Sequence, residues 1–450
     1  MNISAHLNID LVALDTADDV TCLVELRAPL LEQVTARPGQ SLVIVLDRSG
    51  SMTGGPLEGA KESIRALLHR LAPQDAFGLV VFDDGADVVV PVQLMGDHEV
   101  PLLESMIGRI HAGGSTDLSA GYLLGLREAK RSLRTTSHKG GTVLLVSDGH
   151  ANIGITDPVQ MRELAGQAFG THAITTSTLG FGQGYDEILL EAITRGGNGT
   201  HAFAPDVDSA MKEIQGVVTD LLDKSVVAAL MRIRPRPDLV AGIRVLQDLP
   251  HWTEADGLVV NLGDLYAGEE RKTLFTLHVP GIPTLGLVTV AELVLEYTTL
   301  PDVLEHQVVV PLCVNIVPGD EVRGRVPNPV VEVEQLMVDI DTRKRGIASS
   351  LRAGDALTAQ RTLAGAMRDL NAKREEVRRL GVAGSLRARL DEVARDLLQL
   401  ADDVSHRDAN FAGKSMMRSY AASSRGRNLK AHRSSVDADK QQDEDADEAQ

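Results

Sequence analysis

Three oxygen-bearing side chains stand at alternate positions in the segment LVIVLDRSGSM, residues 42–52: Asp47, Ser49 and Ser51. The carboxylate follows five aliphatic residues, so it stands where a buried strand ends and a loop begins. Carboxylate and hydroxyl oxygens are hard ligands of the kind that Mg²⁺ or Mn²⁺ prefers, whereas a zinc site would use histidine or cysteine. The spacing therefore indicates a loop that could hold a divalent cation.

Two further segments bring oxygen ligands to comparable places. GGSTDLSAG carries Thr116 after Gly113 and Gly114, and LLVSDG carries Asp148 directly after an apolar strand. In an open parallel sheet, ligands gather beyond the carboxyl ends of the strands, where the connections leave in opposite directions. The three loops would then share one cluster of two carboxylates and three hydroxyls, and a cation held there would keep positions open for a carboxylate from outside.

The pattern around these segments predicts alternating strands and helices from about residue 41 to residue 222. Apolar strands such as SLVIVL and TVLLVS alternate with helical stretches such as PLEGAKESIRALLHRL, and DVDSAMKEIQGVVTDLL is predicted as the closing helix. AFGLVVF and DVVVPVQL form a predicted hairpin around the turn DDGA. This rhythm indicates an α/β fold, a doubly wound and mainly parallel sheet covered by helices on both faces.

The flanking segments have different periods. Apolar and polar residues alternate in two runs within residues 1–40 and in six runs within 223–318, which is the pattern of half-buried strands. Because a two-stranded hairpin alone is marginal, we expect one β-sandwich into which the α/β domain is inserted. Residues 329–405 have apolar residues at a spacing of three and four, which predicts a helical hairpin or bundle. From 406 to 450 we expect a disordered tail, first basic and then acidic.

The motifs DRSGSM, GGSTD and VSDG, in this order and on these elements, resemble the metal-ion-dependent adhesion site of von Willebrand factor type A domains. The motif-bearing resemblance covers about residues 41–222. The early strands and NLGDLYAGEERKTLFTLHVP are similar to the β-sandwich that flanks such domains in bacterial proteins and in the inter-alpha-trypsin-inhibitor heavy-chain group. The resemblance implies five metal ligands: Asp47, Ser49, Ser51, Thr116 and Asp148.

Plainer roles are open to the same residues. Asp47 could cap the next helix, and the two serines after it could satisfy turn amides. Thr116 or Asp117 could be the N-cap of the helix that follows the second loop. His111 and His150 flank the site, where a histidine on a loop is more often solvated than catalytic.

Composition narrows the range of functions. The chain has a net charge of -18 and only 3% aromatic residues, which argues against a nucleic-acid partner. Cys22 and Cys313 are far apart and indicate neither a disulfide framework nor a zinc cluster. The N-terminus lacks a signal-peptide pattern and no apolar stretch approaches eighteen residues, so we expect a cytoplasmic protein without a membrane span.

Three function classes remain open. We favour a non-catalytic, metal-dependent protein-binding module or scaffold, in which bound Mg²⁺ or Mn²⁺ accepts an Asp or Glu from a protein partner. The resemblance also allows a non-catalytic subunit of an AAA-type ATPase assembly, with the ATPase on a separate chain because this sequence has no Walker motif. A metal-assisted hydrolase is less favoured, since His111, His150 and Asp117 have no recognisable role as a general base.

Overall fold

The computed structural model divides the chain into two compact units. The sandwich unit consists of residues 1–33 and 224–450, and the α/β unit consists of residues 34–223. The structure describes residues 1–30, 39–138, 140–148, 151–181, 185–204, 216, 224–300, 303–381, 384–423 and 427–428.

Three strands of the sandwich unit open the chain: β1 (Asn2–Leu7), β2 (Leu11–Ala13) and β3 (Asp18–Arg27). The sequence predicts two strands here. The difference arises at Asn8, whose backbone N–H donates to the Thr21 carbonyl (2.8 Å) and whose side chain accepts from the Thr21 N–H (2.7 Å). This pairing ends β1, and the chain then crosses to the other sheet as β2.

The α/β unit is built on one six-stranded sheet. Its strands are β4 (Ser41–Asp47), β5 (Ala76–Phe82), β6 (Ala86–Leu94), β7 (Gly141–Ser147), β8 (Ile174–Phe181) and β9 (Asn198–Ala204). They lie in the order β6-β5-β4-β7-β8-β9, and every neighbouring pair is parallel except the β5 and β6 hairpin. Connections leave β4 and β7 in opposite directions, so a crevice forms at their carboxyl ends.

Helices cover both faces of this sheet, because alternate β4 side chains enter two cores, with Ile44 on one face and Val45 on the other. The helices are α1 (Gly55–Leu68), α2 (Val100–Gly108), α3 (Leu118–Thr135), α4 (Pro158–His172) and α5 (Glu187–Gly196). Helix α3 lies very close to β4, since a Cβ at Gly125 would come within 2.3 Å of Val45. The predicted closing helix, residues 206–222, lies almost wholly outside the described residues.

The remaining strands complete the sandwich unit: β10 (Lys224–Pro235), β11 (Gly242–Val245), β12 (His251–Glu254), β13 (Gly257–Tyr266), β14 (Glu270–Val279), β15 (Gly286–Thr299), β16 (Leu304–Val317) and β17 (Arg427–Asn428). One sheet has the order β1-β3-β14-β11, with β17 on β14, and the other has the order β12-β13-β10-β15-β16-β2. Buried residues of both sheets share one core. The predicted fold class, an α/β domain inserted in a β-sandwich, is confirmed.

Four helices follow the strands: α6 (Pro329–Arg352), α7 (Ala356–Arg379), α8 (Gly384–His406) and α9 (Ala409–Ser423). Val331 of α6 packs against Leu23 and Leu274 of the sandwich. Among the described residues, no helix combines the length and the apolar character that crossing a membrane requires.

Helix α9 corrects the prediction of a disordered tail from residue 406. The sequence here is basic and serine-rich, yet Ala412, Met416, Met417 and Tyr420 are buried in the helical core. Their spacing of four, one and three residues places them on one helix face. Residues 429–450, which include the predicted acidic segment, lie outside the described residues.

Serine hydroxyls join α9 to its neighbours. Ser415, Ser419 and Ser423 follow one another at intervals of four residues, and each donates to an aspartate of α8 or α6 at 2.5 to 2.7 Å. We call these contacts the α9 ladder; its pairs are Ser415 with Asp403, Ser419 with Asp396, and Ser423 with Asp341. Buried Lys344 lies among them, with Nζ 2.9 Å from Asp396 and 2.7 Å from the Ser419 hydroxyl.

Candidate metal centre

Asp47 is the last residue of β4 and is fully buried. Its Oδ1 accepts from the Ser49 backbone N–H (2.7 Å), and its Oδ2 accepts from the Ser147 hydroxyl (2.6 Å). Ser147 ends β7, the strand beside β4. The carboxylate is therefore fixed between the two central strands, at the switch point where an open α/β sheet binds its ligands.

A row of oxygen atoms links the first loop to the third. The Ser49 and Ser51 hydroxyl oxygens lie 3.1 Å apart, and the Ser51 hydroxyl donates to Asp148 Oδ1 at 2.7 Å. In octahedral coordination with metal–oxygen distances of about 2.0–2.1 Å, neighbouring ligand oxygens stand about 2.9 Å apart. The spacing of these side-chain oxygens therefore fits a small, hard cation such as Mg²⁺.

Thr116 lies on the second loop, which backbone hydrogen bonds attach to the first. The Gly50 N–H donates to the Gly114 carbonyl (3.2 Å), and the Gly113 N–H donates to the Arg48 carbonyl (2.8 Å). Gly114 has a φ of +69°, a conformation that favours glycine. The structure thus brings buried Thr116 to the same edge as the other four predicted ligands, held there through its own loop.

We call Asp47, Ser49, Ser51, Thr116 and Asp148 the metal-edge cluster, and its two carboxyls have perturbed acidity. Burial raises the pKa of Asp47, and the charge of Asp83 adds to the rise, while hydrogen bonds from Ser147 and Ser49 oppose it. Burial raises the pKa of Asp148 to about 6; the negative charge of Asp47 contributes, and the Ser51 hydrogen bond opposes it. Both carboxylates would be stabilised by a positive charge between them.

The described residues supply no such charge from the chain itself. Within them, neither Asp47 nor Asp148 forms an ion pair with a lysine, arginine or histidine. No group of three or more His, Cys, Asp or Glu side chains with a metal-binding arrangement occurs in this part of the chain either. A metal at this edge would therefore depend on two carboxylates and on neutral hydroxyls.

Sequence reasoning missed three residues that position the first loop: Ser147, Arg48 and Asp83. The Arg48 guanidinium donates to Asp83 and to Asp87, both at 2.9 Å, and its backbone N–H donates to the Phe82 carbonyl. These bonds tie the first loop to the β5 and β6 hairpin. A signal existed, because Ser147 and Arg48 lie inside the quoted motifs and Asp83 lies in the turn DDGA at the same edge.

Helix capping and turn hydrogen bonds, the plainer roles considered from the sequence, are found for Asp117 and Asp47. Asp117 is the N-cap of α3, and its side chain accepts from the Ala120 N–H at 2.9 Å. Asp47 satisfies one turn amide, while its second oxygen bonds to the neighbouring strand and caps no helix. His111 is exposed, and His150 lies outside the described residues.

Comparison with known sequences gives a family match for part of the α/β unit. Residues 42–150 match the sequence model of the von Willebrand factor type A domain. That stretch begins in β4 and includes both central strands and the loops that carry the metal-edge cluster. This stretch of the chain therefore matches the von Willebrand factor type A domain family.

Two solved structures resemble nearly the whole chain. A von Willebrand factor type A protein from Catenulispora acidiphila aligns with a TM-score of 0.71 and 17% identity over 94% of this chain and 96% of its own. The ArnB paralog VWA2 from Sulfolobus acidocaldarius aligns with a TM-score of 0.61 and 15% identity over 93% of this chain and 98% of its own. At these identities the likeness shows the fold alone.

Curated relatives match parts of the chain. An uncharacterised protein of Synechocystis sp. is 28% identical over 56% of this chain, and an uncharacterised protein of Escherichia coli, YfbK, is 26% identical over 54%. The matches span 60% and 42% of those two relatives, which is less than two thirds of either. Inter-alpha-trypsin inhibitor heavy chain H4 of Bos taurus is 25% identical over 38% of this chain and 19% of its own length.

Proposed function

We propose that the α/β unit is a non-catalytic binding module that holds Mg²⁺ or Mn²⁺ and, through it, an acidic residue of a protein partner. The metal-edge cluster would hold the cation. The observation that carries this proposal is the pairing of buried Asp47 with Asp148, both with raised pKa and without a cationic partner among the described residues. When bound, the cation supplies an electrophilic centre that accepts a carboxylate from outside.

Residues of the chain itself hold the site in shape. The Ser147 hydroxyl and the Ser49 N–H fix both oxygens of Asp47, and each oxygen keeps lone-pair capacity for a further bond. Serine and threonine ligands add no charge, so at most two carboxylates balance the cation, and its remaining coordination positions would be left to water. An incoming carboxylate could replace that water as a further ligand.

A binding role is favoured over hydrolysis. Serine hydroxyls and backbone N–H groups make the described hydrogen bonds of the cluster carboxylates, and neither group is an effective general base. Three further expectations stay predictions from the sequence. They are that the protein has no nucleic-acid partner, that it is cytoplasmic, and that it could associate with a separate ATPase subunit.

Calorimetric titration with MgCl₂ and with MnCl₂ tests the metal site. We expect weak binding of one ion by the wild type and none by Asp47→Ala. Exposed Asp97 offers a matched control, because Asp97→Ala removes the same charge outside the cluster. Equal metal binding by the wild type and Asp47→Ala would contradict the proposal.

The partner is tested by affinity capture in Mg²⁺ and in EDTA. Interactions that run through the cation should be lost in EDTA, restored by Mg²⁺, and absent for Asp47→Ala. A partner that stays bound under both treatments would show that another surface of the protein makes the contact.

A further inference from the structure

One apolar side chain stands out at the rim of the metal-edge cluster. The loops at this edge, residues 48–54, 112–117 and 151–157, consist mainly of small and polar residues. Met52 is buried and Ile155 packs against the core, whereas Ile153 leaves 43% of its surface exposed. Isolated apolar residues are ordinary on protein surfaces, so exposure alone does not indicate that Ile153 binds a partner. The hydrogen bonds of the backbone around it provide further evidence.

The backbone around Ile153 is fastened to the second loop. The N–H groups of Asn152 and Ile153 both point to the Thr116 carbonyl, at 3.0 and 3.4 Å, so a predicted metal ligand is the anchor. On the other side, the Ile155 N–H donates to the Ser119 hydroxyl at 2.9 Å. Ile153 thus bonds to the first anchor through its own N–H and lies two residues before the second.

Gly154 makes this attachment possible. Its φ is +79°, and a Cβ there would lie 2.2 Å from the Ser119 hydroxyl and 2.3 Å from Asp117 Oδ1. Only glycine allows the segment to lie this close to the start of α3. The exposed isoleucine beside the cluster is therefore a fixed feature of the surface.

We propose that Ile153 is an apolar contact for the partner, and that the partner's metal-binding Asp or Glu has an aliphatic or aromatic residue within two positions of it. This inference rests on the proposed function. An extended chain advances about 3.3 Å per residue, so a residue next to the acidic one reaches the rim beside Thr116. A carboxylate bound to a cation in open water competes with solvent, and an apolar contact at the rim excludes that water.

The fixed backbone adds to the effect. A side chain on a backbone that is already ordered adds no backbone ordering cost when it is covered, so more of the gain from burial appears as affinity. The inferred recognition element is thus an acidic residue followed or preceded by a bulky apolar one, with the acidic residue on the cation and the apolar one on Ile153.

A phage-displayed library of random dodecapeptides provides the probe. The full chain is immobilised in MgCl₂, and bound phage are eluted with EDTA. We expect the wild-type pool to be enriched in Asp or Glu with Leu, Ile, Val, Met, Phe, Tyr or Trp within two positions. Selection on Ile153→Ser should keep the acidic enrichment and lose the apolar one.

The tightest peptide from the wild-type pool is then titrated by fluorescence anisotropy. Ile153→Ser should weaken it roughly tenfold, as expected for the loss of a partly buried isoleucine contact, and Ile153→Val should restore most of the affinity. Leu102→Ser is the matched control, because Leu102 is also an exposed aliphatic residue, with 57% of its surface accessible. It lies in the first turn of α2, shortly after β6. The last residue of β6 pairs with Ala76 at the edge of the sheet opposite the metal-edge cluster. The control should bind like the wild type.

Calorimetry with MgCl₂ separates the two proposals. Unchanged Mg²⁺ affinity in Ile153→Ser, together with weaker peptide binding, supports the contact. Acidic peptides without an apolar neighbour, equal peptide affinity of Ile153→Ser and wild type, or a matching loss of Mg²⁺ affinity would each overturn it and leave the metal site in place. An EDTA eluate without acidic enrichment would overturn the proposed function as well.

Discussion

The metal-edge cluster and the α9 ladder use the same chemical pair, a serine hydroxyl that donates to an aspartate carboxylate. In the ladder, Lys344 lies among the carboxylates and bonds to Asp396 and Ser419. In the metal-edge cluster, the described part of the chain brings no lysine, arginine or histidine into an ion pair with Asp47 or Asp148.

From this difference we infer that the ladder serves the fold, and we propose that the metal-edge cluster is kept for a ligand. Buried carboxylates are costly unless a cation and hydrogen bonds compensate them. In the ladder, Lys344 compensates Asp341 and Asp396 from within the chain, so these aspartates can hold α9 in place. Among the described residues, the metal-edge cluster has hydrogen bonds but no cation paired with its carboxylates, an arrangement that functional sites often have at some expense of stability.

The largest loss of stability should follow from removing the positive charge of Lys344 in the α9 ladder. Lys344→Met removes the buried cation that pairs with buried Asp341 and with partly exposed Asp396, and we expect a loss of about 3 kcal/mol in the free energy of unfolding of the sandwich unit. Urea unfolding followed by hydrogen exchange of peptides from α6 and α9 measures it. Arg361→Met, an exposed change on α7, is the control. A loss below about 1 kcal/mol, the size of an ordinary hydrogen bond, would show that Lys344 does not balance the ladder.

Replacing one aspartate by asparagine should change stability in opposite directions in the metal-edge cluster and in the α9 ladder. Burial raises the pKa of Asp148 to about 6 from its usual 3.8, so Asp148→Asn should stabilise the metal-free α/β unit by about 1–3 kcal/mol. Asp396→Asn should destabilise the sandwich unit, because Lys344 then loses its carboxylate partner. Both are measured in EDTA at pH 7.5 by unit-resolved hydrogen exchange. The same sign for both variants would break the comparison.

The stability of the metal-free α/β unit should depend on pH, because the Asp148 carboxylate has no cationic partner among the described residues. Folding raises the pKa of Asp148, so the folded state binds this proton more tightly than the unfolded state, and its stability falls as pH rises from about 4 to about 6. Asp148→Asn should lack this part of the fall. Magnesium affinity should change in the opposite direction, rising through pH 6 as the carboxyl loses its proton. Thermal midpoints of wild type and variant between pH 4 and 8, in EDTA and in MgCl₂, test both; parallel curves in EDTA would contradict the expectation.

The smallest effects concern single hydroxyls. Ser419→Ala removes a donor to Asp396 and should cost about 1 kcal/mol in every buffer. Ser49→Ala removes a buried hydroxyl and should cost a similar amount without metal, but it should also weaken Mg²⁺ binding, which Ser419→Ala should not do. Stability that depends on metal for Ser419→Ala, or a Ser49→Ala protein with wild-type Mg²⁺ affinity, would weaken the distinction between the two places.

Much of the fold and the identity of the metal-edge residues follow from local patterns. Apolar strands with oxygen-bearing residues at their ends predict which side chains meet, because parallel strands bring their carboxyl ends to one edge. Other features depend on partners distant in sequence. Helix α9 has an ambiguous local sequence and gains its order from aspartates on α6 and α8, and β2 separates from β1 through the contact of Asn8 with Thr21. The Arg48 contact with Asp83 likewise needs the assembled hairpin.

The pairing of β3 with β14 has a consequence for biosynthesis. It joins Arg27 to Glu270, with the whole α/β unit between them in sequence. On a ribosome that adds 5–20 residues per second, β3 would wait roughly ten to fifty seconds for its partner strand. During that time the inserted unit can fold, and a compact insert replaces a long flexible loop, which lowers the entropy that closing the sheet must overcome. Until then the N-terminal strands present an open edge, and the nascent chain depends on rapid folding of its middle to shorten that exposure.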